Sequence, residues 1–197
     1  MTKRQRCQHC QKPISVCICH AITPLSSRHQ VWILRHPSEI KSAKGTAQLC
    51  SLVLNNCQLF DGETETDFTE LKQRIAASSR PTWLLYPDDN ATSVENLGKQ
   101  TAAINLLVLD GTWKKAYRIL QMNPWLQQLP KLSFDAAPEG QYQIRKASRS
   151  DSLSTLEAIG HCLNHLDECD TQPLFTAFDA LKQSQLAHMP ENIRKRY

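Results

Sequence analysis

The sequence contains no long apolar segment of the kind that spans a membrane. A transmembrane helix needs about 20 consecutive apolar residues, and no apolar run in the 197-residue chain approaches that length. The basic start of the chain, Met1–Arg6, is not followed by the hydrophobic core of a signal peptide. Internal repeats and low-complexity tracts are absent as well. These absences predict a cytoplasmic protein without membrane association, and the length suits one domain with a small appendage.

Acidic residues are nearly absent from the first 60 positions, where Glu39 is the only one. Lys and Arg also outnumber acids in residues 110–149, whereas acids predominate in residues 61–109 and 150–197, so the net charge of +4 conceals an uneven distribution. If the fold brings the two basic regions together, they form a surface that attracts phosphate. The alternative is that both regions are ordinary solvated faces.

Four of the eight cysteines lie within a short segment near the amino terminus. Because a reducing compartment disfavours structural disulfides, a tight cluster of cysteines indicates metal binding. The first pair has the two-residue spacing with which a turn presents both sulfurs to one tetrahedral ion, and the second pair is tighter. Four thiolates leave no open coordination position, so the sequence predicts a structural zinc ion. The predicted ligands are Cys7, Cys10, Cys17 and Cys19.

Alternatives remain open for these cysteines. His9 or His20 could replace one sulfur, or the thiols could carry no metal. The other four cysteines are predicted to be small apolar packing residues; they are Cys50, Cys57, Cys162 and Cys169.

Short apolar runs alternate with helical patterns in the rest of the chain. The predicted strands cover residues 31–34, 59–60, 82–86, 105–109 and 131–134. The predicted helices cover residues 46–54, 68–75 and 113–120, a segment capped by Ser154 and Glu157, and a segment after Thr171. This alternation predicts an α/β domain with a mostly parallel sheet and helices on both faces. We expect a zinc module at residues 1–24 and a larger domain at residues 25–197.

The segment around Asp110 is the strongest candidate for an active site. Four apolar residues, Leu106–Leu109, read as a buried strand that ends at a carboxylate, and open α/β sheets bind ligands at the carboxyl ends of their strands. The helix that follows is predicted to bury Trp113, Ala116, Tyr117 and Leu120, and to expose Lys114, Lys115 and Arg118. In the alternative interpretation, Asp110 merely caps this helix.

Several motifs together resemble one known family. Asp110-Gly111-Thr112-Trp113 is similar to the Asp-x-Thr-Trp signature of the DTW-domain family, the tRNA-uridine aminocarboxypropyltransferases. Further motifs agree in order, namely the four cysteines, His36-Pro37-Ser38-Glu39, Lys44-Gly45-Thr46, Leu85-Tyr86-Pro87, Tyr142–Lys146 and Leu153–Ala158. The resemblance extends from Cys7 to His161, which makes coincidence of single motifs an inadequate explanation. One departure is Ala43-Lys44-Gly45-Thr46, where many members carry Asn-Thr-Gly.

The resemblance implies a fold, an activity and a co-substrate. The fold would be SPOUT-like and knotted. The reaction would transfer the 3-amino-3-carboxypropyl group of S-adenosylmethionine to N3 of a uridine in tRNA and release methylthioadenosine. Because the RNA nitrogen itself attacks, no enzyme nucleophile is required, and no obligate protein partner is evident.

The predicted site residues fall into three groups. Asp110 acts as a general base for uracil N3–H, or its charge holds the ammonium or sulfonium of the co-substrate. The expected co-substrate contacts are Tyr86, Pro87, Leu109, Thr112, Trp113 and Arg145. The expected RNA contacts are His36, Lys44, Lys114, Lys115, Arg118, Lys146 and Arg149. Two other functions remain open: an RNA methyltransferase of similar architecture, and an RNA-binding zinc protein without catalytic activity.

Overall fold

The computed structural model describes residues 5–42, 44–97, 102–135, 140, 153–167 and 169–191. The predicted ligand-binding residues Arg145, Lys146 and Arg149 lie outside this part of the chain.

Six parallel strands form one sheet in the described residues. The strands are β1 (Gln30–Arg35), β2 (Cys57–Asp61), β3 (Thr82–Leu85), β4 (Thr92–Ser93), β5 (Asn105–Asp110) and β6 (Lys131–Ser133). Their order is β2-β1-β5-β3-β6-β4, and each adjacent pair is parallel. The predicted α/β class with a parallel sheet is therefore confirmed. All strands of such a sheet end at the same edge, so the residues after them meet there.

Seven α-helices connect and cover the strands in the same part of the chain. They are α1 (Ala47–Val53), α2 (Thr69–Ala77), α3 (Val94–Leu97), α4 (Trp113–Met122), α5 (Pro124–Gln127), α6 (Thr155–Leu166) and α7 (Gln172–Ala187). Short 3₁₀ turns cover Ile14–Val16, Cys19–Ala21, Pro37–Glu39 and Glu65–Phe68. The helices follow the strands as the sequence predicts, except that β4, α3 and α5 were not anticipated.

Alternate residues of the strands enter two different cores. Val31 and Ile33 of β1 pack with α1, α6 and α7 in the larger core. Trp32 and Leu34 point to the opposite face and pack in the smaller core with α2 and α4. Side chains of a strand alternate between the two faces of a sheet, and both faces here are covered by helices, which explains why the strands read as continuous apolar runs.

Helix α4 buries a different stripe from the predicted one. Its buried residues are Ala116, Ile119 and Leu120, whereas Trp113 and Tyr117 are 44% and 56% exposed. The sequence prediction was therefore wrong for these two aromatic residues. Because α4 starts at the carboxyl edge of the sheet, the strands offer little surface that could cover Trp113 in its first turn. Only a limited arc of the helix faces the core, and the two aromatic residues lie outside that arc.

Candidate active site and metal centre

Three charged side chains stand side by side where β2, β1 and β5 end. Arg35 of β1 is in register with Asp61 of β2 and with Asp110 of β5, which places the three side chains on one face of the sheet. The buried Arg35 donates from Nε to Asp61 Oδ1 at 2.6 Å and from Nη2 to Asp61 Oδ2 at 2.9 Å. This bidentate ion pair fixes the guanidinium of Arg35, so its positive charge is held on the strand next to that of Asp110.

The Asp110 carboxylate contacts the first turn of α6. Asp110 is only 3% exposed, and the hydroxyl of Thr155 donates a hydrogen bond to its Oδ1 at 2.5 Å. The backbone amide of Leu156 donates to the hydroxyl of Thr46, just before α1, at 3.3 Å. The end of β5 and the starts of α1 and α6 are thereby joined around one buried carboxylate.

The first turn of α4 is capped by Thr112. The Thr112 hydroxyl accepts a hydrogen bond from the backbone amide of Lys115 at 3.4 Å, as expected of a threonine at this position. Thr112 therefore supplies a side-chain cap of α4. Asp110 accepts a hydrogen bond from Thr155 of α6, a helix far away in sequence.

Thr155 is expected to stabilise the ionised form of Asp110. Replacing Thr155 with Val keeps the shape of the side chain but removes the donor, and a hydrogen bond to a charged group contributes about 1.5–3 kcal/mol. Thr155→Val should lower the free energy of unfolding by about that amount, whereas Thr155→Ser should stay close to the wild type. Urea denaturation of the two variants measures the difference. Equal losses in both variants would contradict the role of the hydroxyl.

The predicted capping box at the start of α6 is confirmed. The Ser154 hydroxyl accepts from the backbone amide of Glu157 at 3.3 Å, and a carboxylate oxygen of Glu157 accepts from the amide of Ser154 at 2.8 Å. Both residues are buried. The predicted structural role of Glu157 agrees with these contacts, which fix the helix start that presents Thr155 to Asp110.

Two glutamates connect the segment after β1 to α4 through ion pairs. Glu39 accepts from Lys115 Nζ at 2.7 Å. Glu63 Oε1 lies 3.1 Å from His36 Nε2 and also pairs with Arg118. We call these five residues the carboxylate clasp. Three of the predicted RNA contacts thus already have carboxylate partners, and a phosphate would have to compete with those partners.

Aromatic side chains line the same edge beside the end of β3. The rings of Tyr86 and Trp113 make an edge-to-face contact with centroids 6.3 Å apart, a favourable geometry for aromatic pairs. Burial raises the pKa of Tyr86, and the neighbouring Tyr117 raises it further. Leu109 is half-buried against the smaller core together with Tyr86, and Pro87 is exposed.

The structure thus brings the predicted co-substrate contacts of β3, β5 and the start of α4 to one edge, which carries Tyr86, Pro87, Leu109, Thr112 and Trp113. Sequence reasoning missed five residues near this edge, namely Arg35, Thr46, Glu63, Tyr117 and Thr155. A charged residue at the end of an apolar strand was a usable signal for Arg35, and the capping-box motif was one for Thr155. The ion pairs of Glu63 left no signal in the sequence.

The four amino-terminal cysteines converge on one point. Their sulfur atoms all lie within 4.8 Å of one another, with separations of 3.6 Å for Cys7 and Cys19 and 3.7 Å for Cys10 and Cys17. Tetrahedral zinc with Zn–S bonds of about 2.3 Å requires sulfur separations of about 3.8 Å. Hydrogen bonds from the backbone amides of Cys10 and His9 lower the pKa of Cys7 to about 6. The cluster therefore fits a metal ion, and it comprises four cysteines without His9 or His20.

The cysteine cluster is attached to the larger core. Ile18, between the ligand candidates Cys17 and Cys19, is 1% exposed and belongs to the same core as α6 and α7. Leu25 forms a parallel bridge to Leu54 at the end of α1. A metal held by these cysteines would thus fix a side chain that packs against the sheet domain.

None of the helices in the described part of the chain combines the length and the apolar character that crossing a bilayer requires.

Comparison with known proteins assigns the chain to a family. The sequence model of the DTW domain matches residues 4–186. The tRNA-uridine aminocarboxypropyltransferase 2 of Drosophila melanogaster is 32% identical over 172 residues, which cover 84% of this chain and 68% of that protein. The tRNA-uridine aminocarboxypropyltransferase A of Arabidopsis thaliana is 21% identical over 200 residues, which cover 84% of this chain and 74% of that protein. No solved structure matches. With a family match over nearly its whole length and its Asp-x-Thr-Trp run at the end of a central strand, the chain belongs to the DTW domain family.

Proposed function

We propose that the protein transfers the 3-amino-3-carboxypropyl group of S-adenosylmethionine to N3 of a uridine in tRNA and releases methylthioadenosine. Membership of the DTW domain family and the similarity to the tRNA-uridine aminocarboxypropyltransferase of Drosophila melanogaster support this activity. The observation that carries the proposal is the buried Asp110 at the carboxyl end of β5, at the same edge of the sheet as the aromatic pair of Tyr86 and Trp113. Ligands of open α/β sheets bind at this edge.

The side chains at the edge fit the chemistry of the co-substrate. The Asp110 carboxylate matches a cationic ammonium or sulfonium, and the rings of Tyr86 and Trp113 match the adenine base. The proposed pocket also includes Leu109, Pro87 and Thr112. Arg145 is the proposed partner of the carboxylate group of S-adenosylmethionine. When bound, S-adenosylmethionine supplies an electrophilic carbon next to its sulfonium.

We assign Asp110 an electrostatic role in preference to general-base catalysis. The carboxylate is almost entirely buried, and Thr155 holds one of its oxygens, so the charge is fixed in position. A fixed charge in a site of low dielectric constant interacts strongly with a nearby cation and needs little reorganisation during the reaction. The reaction forms a bond from N3 to carbon and breaks the carbon–sulfur bond, whose electron pair leaves on the sulfur of methylthioadenosine. In this proposal the N3 proton passes to solvent water and not to Asp110.

The proposed RNA surface surrounds α4. Lys114 is exposed and makes no ion pair with any residue that the structure describes, so it offers a direct contact to phosphate. Lys115, Arg118 and His36 would contribute after exchange of their carboxylate partners. The remaining proposed contacts are Lys44, Lys146 and Arg149. The target uridine must be unpaired or splayed out, because pairing hides the N3 edge of the base.

The four-cysteine cluster is proposed to hold a structural Zn²⁺. Its sulfur separations match tetrahedral coordination, and backbone amides stabilise the Cys7 thiolate. A reducing cytoplasm would keep the thiols available for the metal, and we place the protein there. The boundary between a zinc module at 1–24 and a catalytic domain at 25–197 stays a prediction. The burial of Ile18 indicates that the two parts fold together.

The SPOUT-like knotted topology stays a prediction of the family resemblance. The path of the chain between β6 and α6 is part of this topology. Residues 136–139 and 141–152 of this segment lie outside the described part of the chain.

Incubation of the purified protein with S-adenosylmethionine and unmodified tRNA tests the proposed activity. Nucleoside mass spectrometry should detect uridine that has gained an aminocarboxypropyl group, and chromatography should detect methylthioadenosine. The appearance of S-adenosylhomocysteine and a methylated base would instead identify a methyltransferase. Binding of tRNA without either product would identify a non-catalytic RNA-binding protein.

A further inference from the structure

Helix α4 exposes two large aromatic side chains on one side. Trp113 and Tyr117 are 44% and 56% exposed, and both belong to the short set of large hydrophobic residues that the described part of the chain exposes. They are four residues apart, so they are neighbours on the surface of the helix. Two neighbouring aromatic side chains exposed to water form an apolar patch, and such a patch indicates an interaction site.

Cations accompany these aromatics along the helix. Lys114 and Arg118 are also four residues apart and follow the aromatic residues by one position each, so an aromatic row and a cationic row run side by side. Helix α4 contains no acidic residue. We call Trp113, Lys114, Tyr117 and Arg118 the outer face of α4. Its combination of stacking surfaces and positive charge matches single-stranded nucleic acid, which presents bases and phosphates together.

The outer face begins at the proposed active site. Trp113 lies three residues after Asp110, and its ring contacts Tyr86 at the end of β3. Four residues of an α-helix advance about 6 Å, which exceeds the ~3.4 Å spacing of stacked bases along one strand. Two rings at this spacing suit bases that have separated from each other, as they must around a uridine that is splayed out for reaction.

We infer that the outer face of α4 binds the unpaired nucleotides of the RNA substrate next to the target uridine, with the ring of Tyr117 stacked on a base and Lys114 on the backbone. The inference rests on the proposed function for the identity of the RNA. Arg118 shares its charge with Glu63 of the carboxylate clasp, so Lys114 provides the principal phosphate contact. Trp113 then stands between the co-substrate and the first of these nucleotides.

Aromatic and aliphatic replacements of Tyr117 distinguish stacking from other kinds of contact. Tyr117→Leu keeps an apolar side chain but removes the ring, and should raise the Kd for unmodified tRNA by about 5- to 100-fold. Tyr117→Phe keeps the ring and should change this Kd by no more than about twofold. The binding measurement uses full-length protein with its metal and no S-adenosylmethionine. A single-stranded uridine-rich oligonucleotide should show the same order of affinities, and a duplex of equal length should not.

Met122→Ala serves as the matched control. Met122 is 45% exposed on the same helix. It follows Arg118 by one turn, but it lies about 180° around the helix axis from Trp113 and about 140° from Tyr117, so it is outside the aromatic row. Its replacement should leave the Kd for tRNA unchanged. Sedimentation of the Met122 and Tyr117 variants detects any effect on association between copies of the chain.

Each outcome bears on the inference. Wild-type affinity of Tyr117→Leu for both probes would overturn it. A change of oligomeric state in Tyr117→Leu would also overturn it, because the face would then contact a second copy of the chain. If Tyr117→Leu forms the modified uridine with an unchanged KM for tRNA, the inference fails while the proposed function holds. If ring-dependent RNA binding is found but no aminocarboxypropyl product forms, the proposed function fails while the nucleotide-binding face remains.

Discussion

Replacement of Asp110 with Asn should lower kcat for aminocarboxypropyl transfer by about 10²- to 10³-fold, the usual cost of removing a fixed electrostatic contact to a transition state. The amide has the same shape and can still accept the hydrogen bond from Thr155, so the fold around β5 and α6 should persist. The affinity for tRNA should be unchanged, because the carboxylate is buried against the start of α6. Single-turnover kinetics with saturating tRNA and S-adenosylmethionine measure this loss.

The control for Asp110→Asn is Asp179→Asn on α7. Asp179 is a surface carboxylate that pairs with Lys182 of the same helix, so its replacement removes one negative charge far from the proposed site. Its turnover should match the wild type. Thermal unfolding of both variants separates a loss of chemistry from a loss of folded protein. Near-normal turnover by folded Asp110→Asn would refute the assigned role.

Removal of the metal should destabilise the whole chain and not only its amino terminus. Without zinc the four cysteine side chains are no longer held to one ion and no longer fix the segment that places Ile18 in the larger core. Loss of a buried aliphatic side chain from a core costs about 2–5 kcal/mol, which corresponds to a decrease in Tm of about 5–20 °C for a chain of this size. Thermal unfolding before and after chelation measures the change. The gently purified protein should contain about one equivalent of zinc.

Two cysteine variants sharpen the test of the metal centre. Cys17→Ser removes one proposed ligand and should reproduce the chelated protein, including the decrease in Tm. Cys169→Ser alters a cysteine outside the cluster and should retain the zinc. Chelation of this variant should still decrease the Tm. Less than half an equivalent of zinc in the wild-type protein, measured by elemental analysis, would argue strongly against the four-cysteine site.

The sheet was predictable where burial leaves a local pattern. Strands β1 and β5 are buried on both faces and therefore read as continuous apolar runs, and the turn-prone Asp110-Gly111 pair marks the end of β5. Strand β4 has only two residues, which is too short for any periodic pattern. Its pairing with β6 depends on contacts between distant segments, and these cannot be recognised from a single sequence.

The candidate site was predictable in position but not in its connections. Asp110 was placed at the carboxyl edge from the strand pattern, and the cysteine spacing identified the four-cysteine cluster that could hold a metal. The donor to Asp110 comes from Thr155, 45 residues later, and no local rule selects that partner. The error at Trp113 and Tyr117 has a similar origin. Helical periodicity identifies the residues that share a face, whereas the position of α4 beyond the strand ends determines which of them remain uncovered.

The carboxylate clasp affects how RNA binding should respond to salt. When a cationic side chain binds a phosphate, the main gain in free energy is the entropy of the small ions released from the nucleic acid. The logarithm of the affinity therefore falls linearly with the logarithm of the salt concentration, with a slope proportional to the number of phosphates neutralised. In the proposed RNA complex, Lys115 and Arg118 would enter such contacts from existing pairs with Glu39 and Glu63. The two displaced carboxylates then acquire counterions of their own, which consumes part of that release. The slope of log Kd against the logarithm of the salt concentration should therefore be smaller than expected from counting the cationic side chains of α4.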